Sequence, residues 1–112
     1  MEQVVTDTIE SYNNYLKILP NGCLQIAEHL RNNEVSDALK MILDFSEGAT
    51  WLVDASSLLQ SMQITVDLPV TKIHEFLNEV NSGLEIQDYV VVADMFEYEI
   101  APFFEACAAI EA

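Results

Sequence analysis

Apolar residues recur along the chain at alternating steps of four and three, which places them on one face of an α-helix. In the first segment these positions are Val5, Ile9, Tyr12, Leu16, Leu19, Cys23, Ile26 and Leu30. Pro20 and Gly22 interrupt the segment, and a proline removes one backbone donor and crowds the preceding turn. Because the repeat keeps its phase across Pro20, we expect one kinked helix, with two separate helices as the alternative. Asn32 and Asn33 suit the turn that ends it.

The middle of the chain predicts two further helices. The second spans about residues 35–61, with Ser36 or Asp37 near its N-cap, and its core positions are Ala38, Ile42, Phe45, Ala49, Leu52, Ser56 and Leu59. The stretch QSMQITVDLP breaks the pattern and indicates an extended connection. Asp67 is then expected to cap a shorter helix, with Pro69 in its first turn, where proline is tolerated. That helix has its apolar positions at Val70, Ile73, Leu77 and Val80 and ends at NSGLE.

The last predicted helix runs from about residue 88 to residue 110. Its core positions are Tyr89, Ala93, Phe96, Ile100, Phe103, Cys107 and Ile110. At about 100° per residue, Asp94 and Glu105 lie nearly opposite this face and Glu97 lies on its flank. Only Glu99 falls at the edge of the core, where a carboxylate needs a polar partner. The four segments predict an all-α bundle of four helices, or five if Pro20 divides the first, in a single domain over residues 1–112.

Composition and charge restrict the classes of function. Three glycines and three prolines in 112 residues favour a few long helices. The net charge of −15 argues against binding to nucleic acid or to an anionic membrane surface. It suits a basic protein partner, or it only keeps an apolar-rich chain in solution. The sequence lacks a membrane-spanning stretch and a signal peptide, and two cysteines make no disulfide framework, so we expect a cytoplasmic protein with reduced thiols.

Patterns typical of catalytic or metal sites are missing from the sequence. Neither histidine belongs to a Glu-x-x-His pair, and the chain has no Cys-x-x-Cys motif and no phosphate-binding glycine loop. Cys23 and Cys107 occupy core positions, where cysteine acts as a small hydrophobe. The carboxylates of Asp94, Glu97 and Glu99 diverge around the helix, so we expect neither a metal nor a cofactor. The alternative hypothesis is a small metal-dependent or acid–base enzyme centred on Glu99.

A second apolar stripe runs along each of two helices. It comprises Val91, Met95, Tyr98 and Pro102 on the last helix, and Gly48, Trp51, Ala55, Leu58 and Met62 on the second. Such a stripe is either buried between neighbouring helices or exposed for a partner. Gly48 and Ala55 would let another helix come close to Trp51. We interpret the chain as a non-enzymatic interaction module, a chaperone or adaptor, that self-associates as a homo-oligomer or holds an amphipathic partner helix. The predicted partner-binding residues are Trp51, Leu58, Val91, Met95, Tyr98 and Pro102.

Three short motifs carry a resemblance to a protein family. They are Leu19-Pro20, Gly48 with Trp51-Leu52 in a G-x-x-W-L segment, and Asp94 through Pro102 in a D-x-x-E-Y-E-[ILA]-x-P segment, with Ile100 at the variable place. With these motifs the chain resembles small, acidic, all-helical bacterial proteins that are mostly uncharacterised. Such proteins are broadly similar to flagellar export chaperones, small helical bundles that hold partner helices. The resemblance implies an all-helical fold, and its link to chaperones is an analogy of size and architecture.

Overall fold

The computed structural model describes residues 2–111 of the chain, and this part of it folds into four helices without a β-strand. Helix α1 is Gln3–Arg31, α2 is Val35–Ser61 and α3 is Val70–Glu85. Helix α4 consists of an α-helical segment Tyr89–Met95, a π-helical turn Phe96–Ile100 and an α-helical segment Ala101–Ala106. The predicted all-α bundle of four helices is confirmed. Helix α1 continues through Pro20, so the first segment forms one helix and not two.

The long helix α1 lies at the centre of the bundle. It packs against α2 and against the whole length of α4, whereas α3 packs mainly on the first part of α4. All eight predicted core positions of α1 and all seven of α2 are buried. Phe45 of α2 reaches across to α4, where its ring meets the edges of Phe96 and Phe104 at centroid distances of 5.2 and 6.0 Å. These aromatic contacts join α2 to α4 within one apolar core.

The three inter-helix turns share one hydrogen-bonded form. Asn33, Gln63 and Gln87 each adopt a positive φ just after a helix. The following residue then donates its backbone N–H to a carbonyl in the last helical turn, as in the bond from Glu34 to His29 at 2.8 Å. This is the Schellman arrangement, which satisfies carbonyls that the helix end leaves free. An asparagine tolerates the left-handed conformation well, which agrees with the predicted turn after α1.

The predicted start of α2 is confirmed, whereas the predicted cap of α3 is wrong. Ser36 and Asp37 lie in the first turn of α2, near its N-cap as predicted, and the N-cap position itself is Glu34, whose side chain makes no capping hydrogen bond. Helix α3 begins after Pro69, which occupies the N-cap position itself, and Asp67 lies too far upstream to cap it. The backbone bond from Ile73 N–H to the Pro69 carbonyl starts the helix instead. Proline's fixed φ supports such a start without a capping side chain.

The π-helical turn changes which residues of α4 face the core. Phe96, Ile100 and Phe104 are buried in successive steps of four, while the predicted Phe103 and Cys107 are only half-buried. A π turn holds one residue more than an α-helical turn and so delays the downstream phase by one position. Pro102 gives a local reason for the wider turn, because it lacks the N–H that would bind the Tyr98 carbonyl and its ring crowds that carbonyl. Helix α4 also ends at Ala106, four residues before its predicted end.

Candidate functional site

A groove runs between α3 and α4, and it contains part of the predicted partner-binding stripe. We call it the α3–α4 groove. Its cavity volume is about 450 Å³. The residues that line it come from both helices and their connection: Asn78, Glu79, Ser82, Gly83, Ile86, Val91, Met95 and Glu99. Its lining includes the apolar residues Ile86, Val91 and Met95 and the two carboxylates of Glu79 and Glu99, so the groove combines an apolar contact surface with negative charge.

Gly83 allows the two helices that form this groove to pack closely. A Cβ atom at this position would lie 2.6 Å from Cγ2 of Val92, which is well inside van der Waals contact. Without a side chain at Gly83, α3 settles onto Val92 of α4. Asp88 begins α4 on the other side of the turn, where its side chain accepts a hydrogen bond from the Val91 N–H at 3.2 Å. The start of α4 is therefore fixed, and Val91 is held beside α3.

Exposure differs sharply among the apolar residues of the groove. Ile86 is 74% exposed and Val91 is 46% exposed, whereas Met95 is only 5% exposed. The prediction that Met95 shares an accessible surface with Val91 and Tyr98 is therefore wrong. Because α3 lies against this side of α4, Met95 becomes part of the core and forms the floor of the groove. Val91 and Ile86 remain as its accessible apolar residues.

The ionisable side chains that line the groove are all acidic. Among its lining residues only Glu79 and Glu99 are ionisable, and both are exposed. The prediction that Glu99 needs a polar partner at the edge of the core does not apply, because its side chain reaches solvent. Two carboxylates beside an apolar floor favour a ligand that carries both apolar and cationic groups.

The other two carboxylates of the predicted acidic trio bind a basic residue of α1. Arg31 donates from Nη2 to Oδ1 of Asp94 at 2.8 Å and from Nη1 to Oε1 of Glu97. These contacts raise the pKa of Arg31, with the hydrogen bond to Asp94 as the largest cause. The guanidinium carbon also lies 5.9 Å from the centroid of the exposed Tyr98 ring. Asp94 and Glu97 thus tie α4 to the end of α1, apart from Glu99.

The predicted residues of α2 lie outside the α3–α4 groove. Trp51 is partly exposed and meets Tyr15 of α1 edge to face, with 6.5 Å between ring centroids. A Cβ atom at Gly48 would lie 1.7 Å from the Tyr15 hydroxyl oxygen, so the small residue admits a side chain of α1. The helix that was expected to approach Gly48 is therefore α1 of the same chain. Leu58 is exposed on α2 and Pro102 is exposed on α4.

The structure thus divides the six predicted partner-binding residues. Val91 and Met95 line the α3–α4 groove, Tyr98 stands beside Arg31, and Trp51 packs on Tyr15. Sequence reasoning missed Ile86 and Glu79 as groove residues. Ile86 follows the end of α3, where helical periodicity no longer assigns a face. Glu79 has the appearance of an ordinary solvated residue, and only the packing of α3 on α4 places it beside Glu99.

Both thiols are free and neither is fully accessible. Cys23 is buried, and this burial raises the pKa of its thiol to about 12. Cys107 is half-buried, and its pKa is raised by burial and by the charge of Asp67. A thiol needs a lowered pKa to act as a nucleophile at neutral pH. The environment of each cysteine therefore fits the predicted structural role.

A cluster of ligand-type side chains lies at the turn between α1 and α2. Nδ1 of His29 is 3.1 Å from Oε1 of Glu34, and the ligand atoms of these residues and of Asp37 lie within 4.8 Å of one another. The spacing of these three residues matches no known ligand motif, so the sequence pattern does not predict the group. Glu34 occupies the N-cap position of α2. The contact between His29 and Glu34 is a side-chain hydrogen bond that links the end of α1 to the start of α2.

Fold and charge together define an all-helical bundle protein with a net charge of −15. The chain belongs to the family described as Domain of unknown function (DUF8042), which it matches over residues 7–109. No curated protein and no solved structure matches the chain. None of the helices in residues 2–111 is long and apolar enough to cross a membrane. The predicted membership of an uncharacterised family is confirmed, while a bacterial source and the likeness to chaperones stay predictions.

Proposed function

We propose that this protein is a non-enzymatic interaction module that binds a basic amphipathic helix of a partner protein in the α3–α4 groove. The observation that carries this proposal is the combination of Ile86 and Val91, both exposed, with the carboxylates of Glu79 and Glu99 beside them. A helix in a groove buries one apolar stripe and keeps its charged residues at the margin. This binding mode suits a chaperone or an adaptor, and the two free thiols suit a cytoplasmic location.

Apolar contact provides the first part of the argument. Ile86, Val91 and the buried Met95 all line the groove, so an incoming leucine or isoleucine would meet an apolar surface there. Burial of such side chains contributes about 25 cal/mol for each Å² of apolar surface removed from water. The two helices that carry this surface are already fixed in place, because α3 packs closely on α4 at Gly83 and the Asp88 side chain caps the start of α4. Binding therefore requires little reorganisation of the protein itself.

Charge decides between a foreign partner and a second copy of the chain. Two copies would each bring a net charge of −15. In a two-fold symmetric contact through this groove, Glu79 and Glu99 of one copy would face the same carboxylates of the other. Like charges that meet across an interface disfavour it. A partner helix with lysine or arginine beside its apolar stripe instead pairs with both carboxylates.

The proposal is tested with a defined peptide. The probe is a fluorescein-labelled amphipathic helix with leucines on one face and lysines on the other, and its matched control has glutamates in place of the lysines. Fluorescence anisotropy measures binding to the wild type and to Val91→Asp. We expect the lysine peptide to bind the wild type and to bind Val91→Asp about tenfold more weakly or worse, because the new carboxylate must be desolvated at the contact.

Val90→Asp is the matched control for Val91→Asp. Val90 precedes Val91, is 72% exposed and does not line the groove, so the same charge is added outside it. Val90→Asp should bind the lysine peptide at least as well as the wild type, which excludes attraction by overall charge as the cause. Equal binding by Val91→Asp and Val90→Asp would contradict the proposal. A dimer in sedimentation equilibrium that is lost only in Val91→Asp would replace partner capture by self-association.

A further inference from the structure

A second apolar pocket lies between α1 and α2. We call it the α1–α2 pocket. Its cavity volume is about 160 Å³, and its lining consists of Tyr15, Ile18, Leu19, Gly22, Cys23, Ile26, Met41, Asp44 and Phe45. An apolar cavity of about 150 Å³ is large enough to hold a benzene molecule. Ile18 at the pocket is 64% exposed, so a ligand can enter from solvent.

Gly22 forms part of the wall, and no contact within the protein requires a glycine there. A Cβ atom at Gly22 would meet nothing within 4 Å, unlike one at Gly48 or Gly83. Glycine in the interior of a helix is less favourable than alanine, since it loses more backbone freedom on folding. The visible consequence of Gly22 is that the pocket stays open and that its wall is bare backbone. A ligand can therefore approach α1 closely at this point.

Asp44 is the only charged residue in the lining of the pocket. Among residues 2–111, neither the ion pairs of lysine and arginine nor the contact of His29 with Glu34 includes it. Asp44 and Tyr15 line the same pocket, and the charge of Asp44 contributes to the raised pKa of Tyr15, after burial and the charge of Cys23. The pocket thus presents an apolar volume of one aromatic ring with an exposed carboxylate beside it.

We propose that the α1–α2 pocket is a binding site for a small arylalkyl ammonium compound, with the aromatic ring inside the pocket and the protonated amine on Asp44. The ring matches the apolar volume, and the ammonium ion matches the charge of Asp44. The strongly negative chain further raises the local concentration of cationic ligands. This site is separate from the α3–α4 groove, so the failure of either proposal leaves the other intact.

Chemical-shift titration of the 15N-labelled protein tests the site, with 2-phenylethylamine as the probe. Neutral 2-phenylethanol and anionic phenylacetate serve as the comparison ligands. We expect saturable shifts at the amides of Gly22, Cys23 and Asp44, with an affinity order of amine, alcohol and acid. Gly22→Leu should abolish the saturable shifts, because the new side chain fills the pocket. Asn21→Leu adds the same side chain at an exposed neighbouring position and should leave binding unchanged.

Asp44→Asn tests the charge without changing the shape of the pocket. It should weaken binding of the amine by about twofold to fivefold, as expected for an exposed ion pair, and leave binding of the alcohol unchanged. Asp54→Asn removes an equal charge from another exposed position of α2 and should affect neither ligand. Equal affinities for amine and phenylacetate, or shifts centred away from the pocket, would overturn the proposal. If Gly22→Leu does not fold, the contrast between the two asparagine variants decides alone.

Discussion

The side chain of Asn13 pairs with the backbone of Ile110, which lies beyond the end of α4. Nδ2 of Asn13 donates to the Ile110 carbonyl at 3.0 Å, and the Ile110 N–H donates to Oδ1 of Asn13 at 2.8 Å. A primary amide presents an N–H donor and a C=O acceptor side by side. It can therefore bind both the C=O and the N–H of one residue, as a neighbouring β-strand would. The pair holds the non-helical C-terminal segment against α1, with the Ile110 side chain buried.

Loss of this pair should loosen the C-terminal segment. Asn13→Ala removes two partly buried hydrogen bonds, and we expect the free energy of unfolding to fall by about 1–3 kcal/mol. Hydrogen exchange should quicken at the Ile110 amide while the amides in the middle of α2 keep their relative protection. Urea denaturation and exchange measured by NMR check both expectations. Asn14→Ala, at the exposed neighbouring position, is the control and should change neither quantity.

The core positions of α1 and α2 were predictable from the sequence, and those of α4 beyond its π turn were not. Every core position that the four-three repeat predicted in α1 and α2, from Val5 to Leu59, is buried, because each helix is unbroken and buries one main face, although the repeat missed the buried Ala27 and Ala55. In α4 the same repeat failed beyond the π turn, where Phe104 replaces Phe103 in the core. A repeat of fixed period cannot detect an added residue. It also cannot detect the pairing of Asn13 with Ile110, which depends on residues far apart in the chain.

Helical periodicity also predicted only part of the candidate site. Helical spacing correctly separated Val91 from the core face of α4, but it could not show that α3 would cover Met95 and leave Val91 accessible. Which side of α4 is covered depends on where α3 packs. The close approach of α3 to Val92 is possible because position 83 is a glycine. The negative charge of the surface was evident from composition, yet only the packed structure shows that Glu79 and Glu99 line the same groove.

The burial of Met95 leads to a prediction that contrasts it with Val91. Met95→Lys places a charged group in the core beneath α3, and we expect the free energy of unfolding to fall by about 2–5 kcal/mol. Val91→Lys adds the same charge where the side chain reaches water, so its effect should stay within about 1 kcal/mol. Urea denaturation followed by circular dichroism measures both variants. Equal stability of the two would mean that α3 does not cover Met95.

The contact between Gly48 and Tyr15 predicts opposite effects for the same substitution at two glycines. Gly48→Ala forces the Tyr15 ring to move and should destabilise the protein by about 1–3 kcal/mol. Gly22→Ala introduces a methyl group into open space and should stabilise it by about 0.5–1 kcal/mol. Trp51 is the single tryptophan and touches Tyr15, so its fluorescence should change in Gly48→Ala only. Unchanged stability and fluorescence in Gly48→Ala would show that the Tyr15 ring does not pack against Gly48.

Alkaline pH should lower the free energy of unfolding, because burial raises the pKa values of two groups in the folded protein. Burial is the largest cause that raises the pKa of Tyr12 from 10.0 to about 12, and burial raises that of Cys23 from 9.0 to about 12. Above about pH 9 the unfolded chain releases these protons while the folded chain keeps them, so the stability that is fully present below this pH declines as the pH rises. Each group contributes a slope of about 1 kcal/mol per pH unit while it titrates only in the unfolded chain.

The double variant Tyr12→Phe with Cys23→Ala tests this origin of the alkaline sensitivity. The Tyr12 hydroxyl is buried without a hydrogen-bond partner among residues 2–111, so its removal alone should leave stability at neutral pH unchanged or slightly higher. Cys23→Ala should lower stability at neutral pH by the loss of one small core group. Urea denaturation from about pH 8 to about pH 11 should give a flatter decline for the double variant than for the wild type. Parallel declines would place the alkaline sensitivity in other groups, with repulsion among the carboxylates of the −15 chain as the next cause to examine.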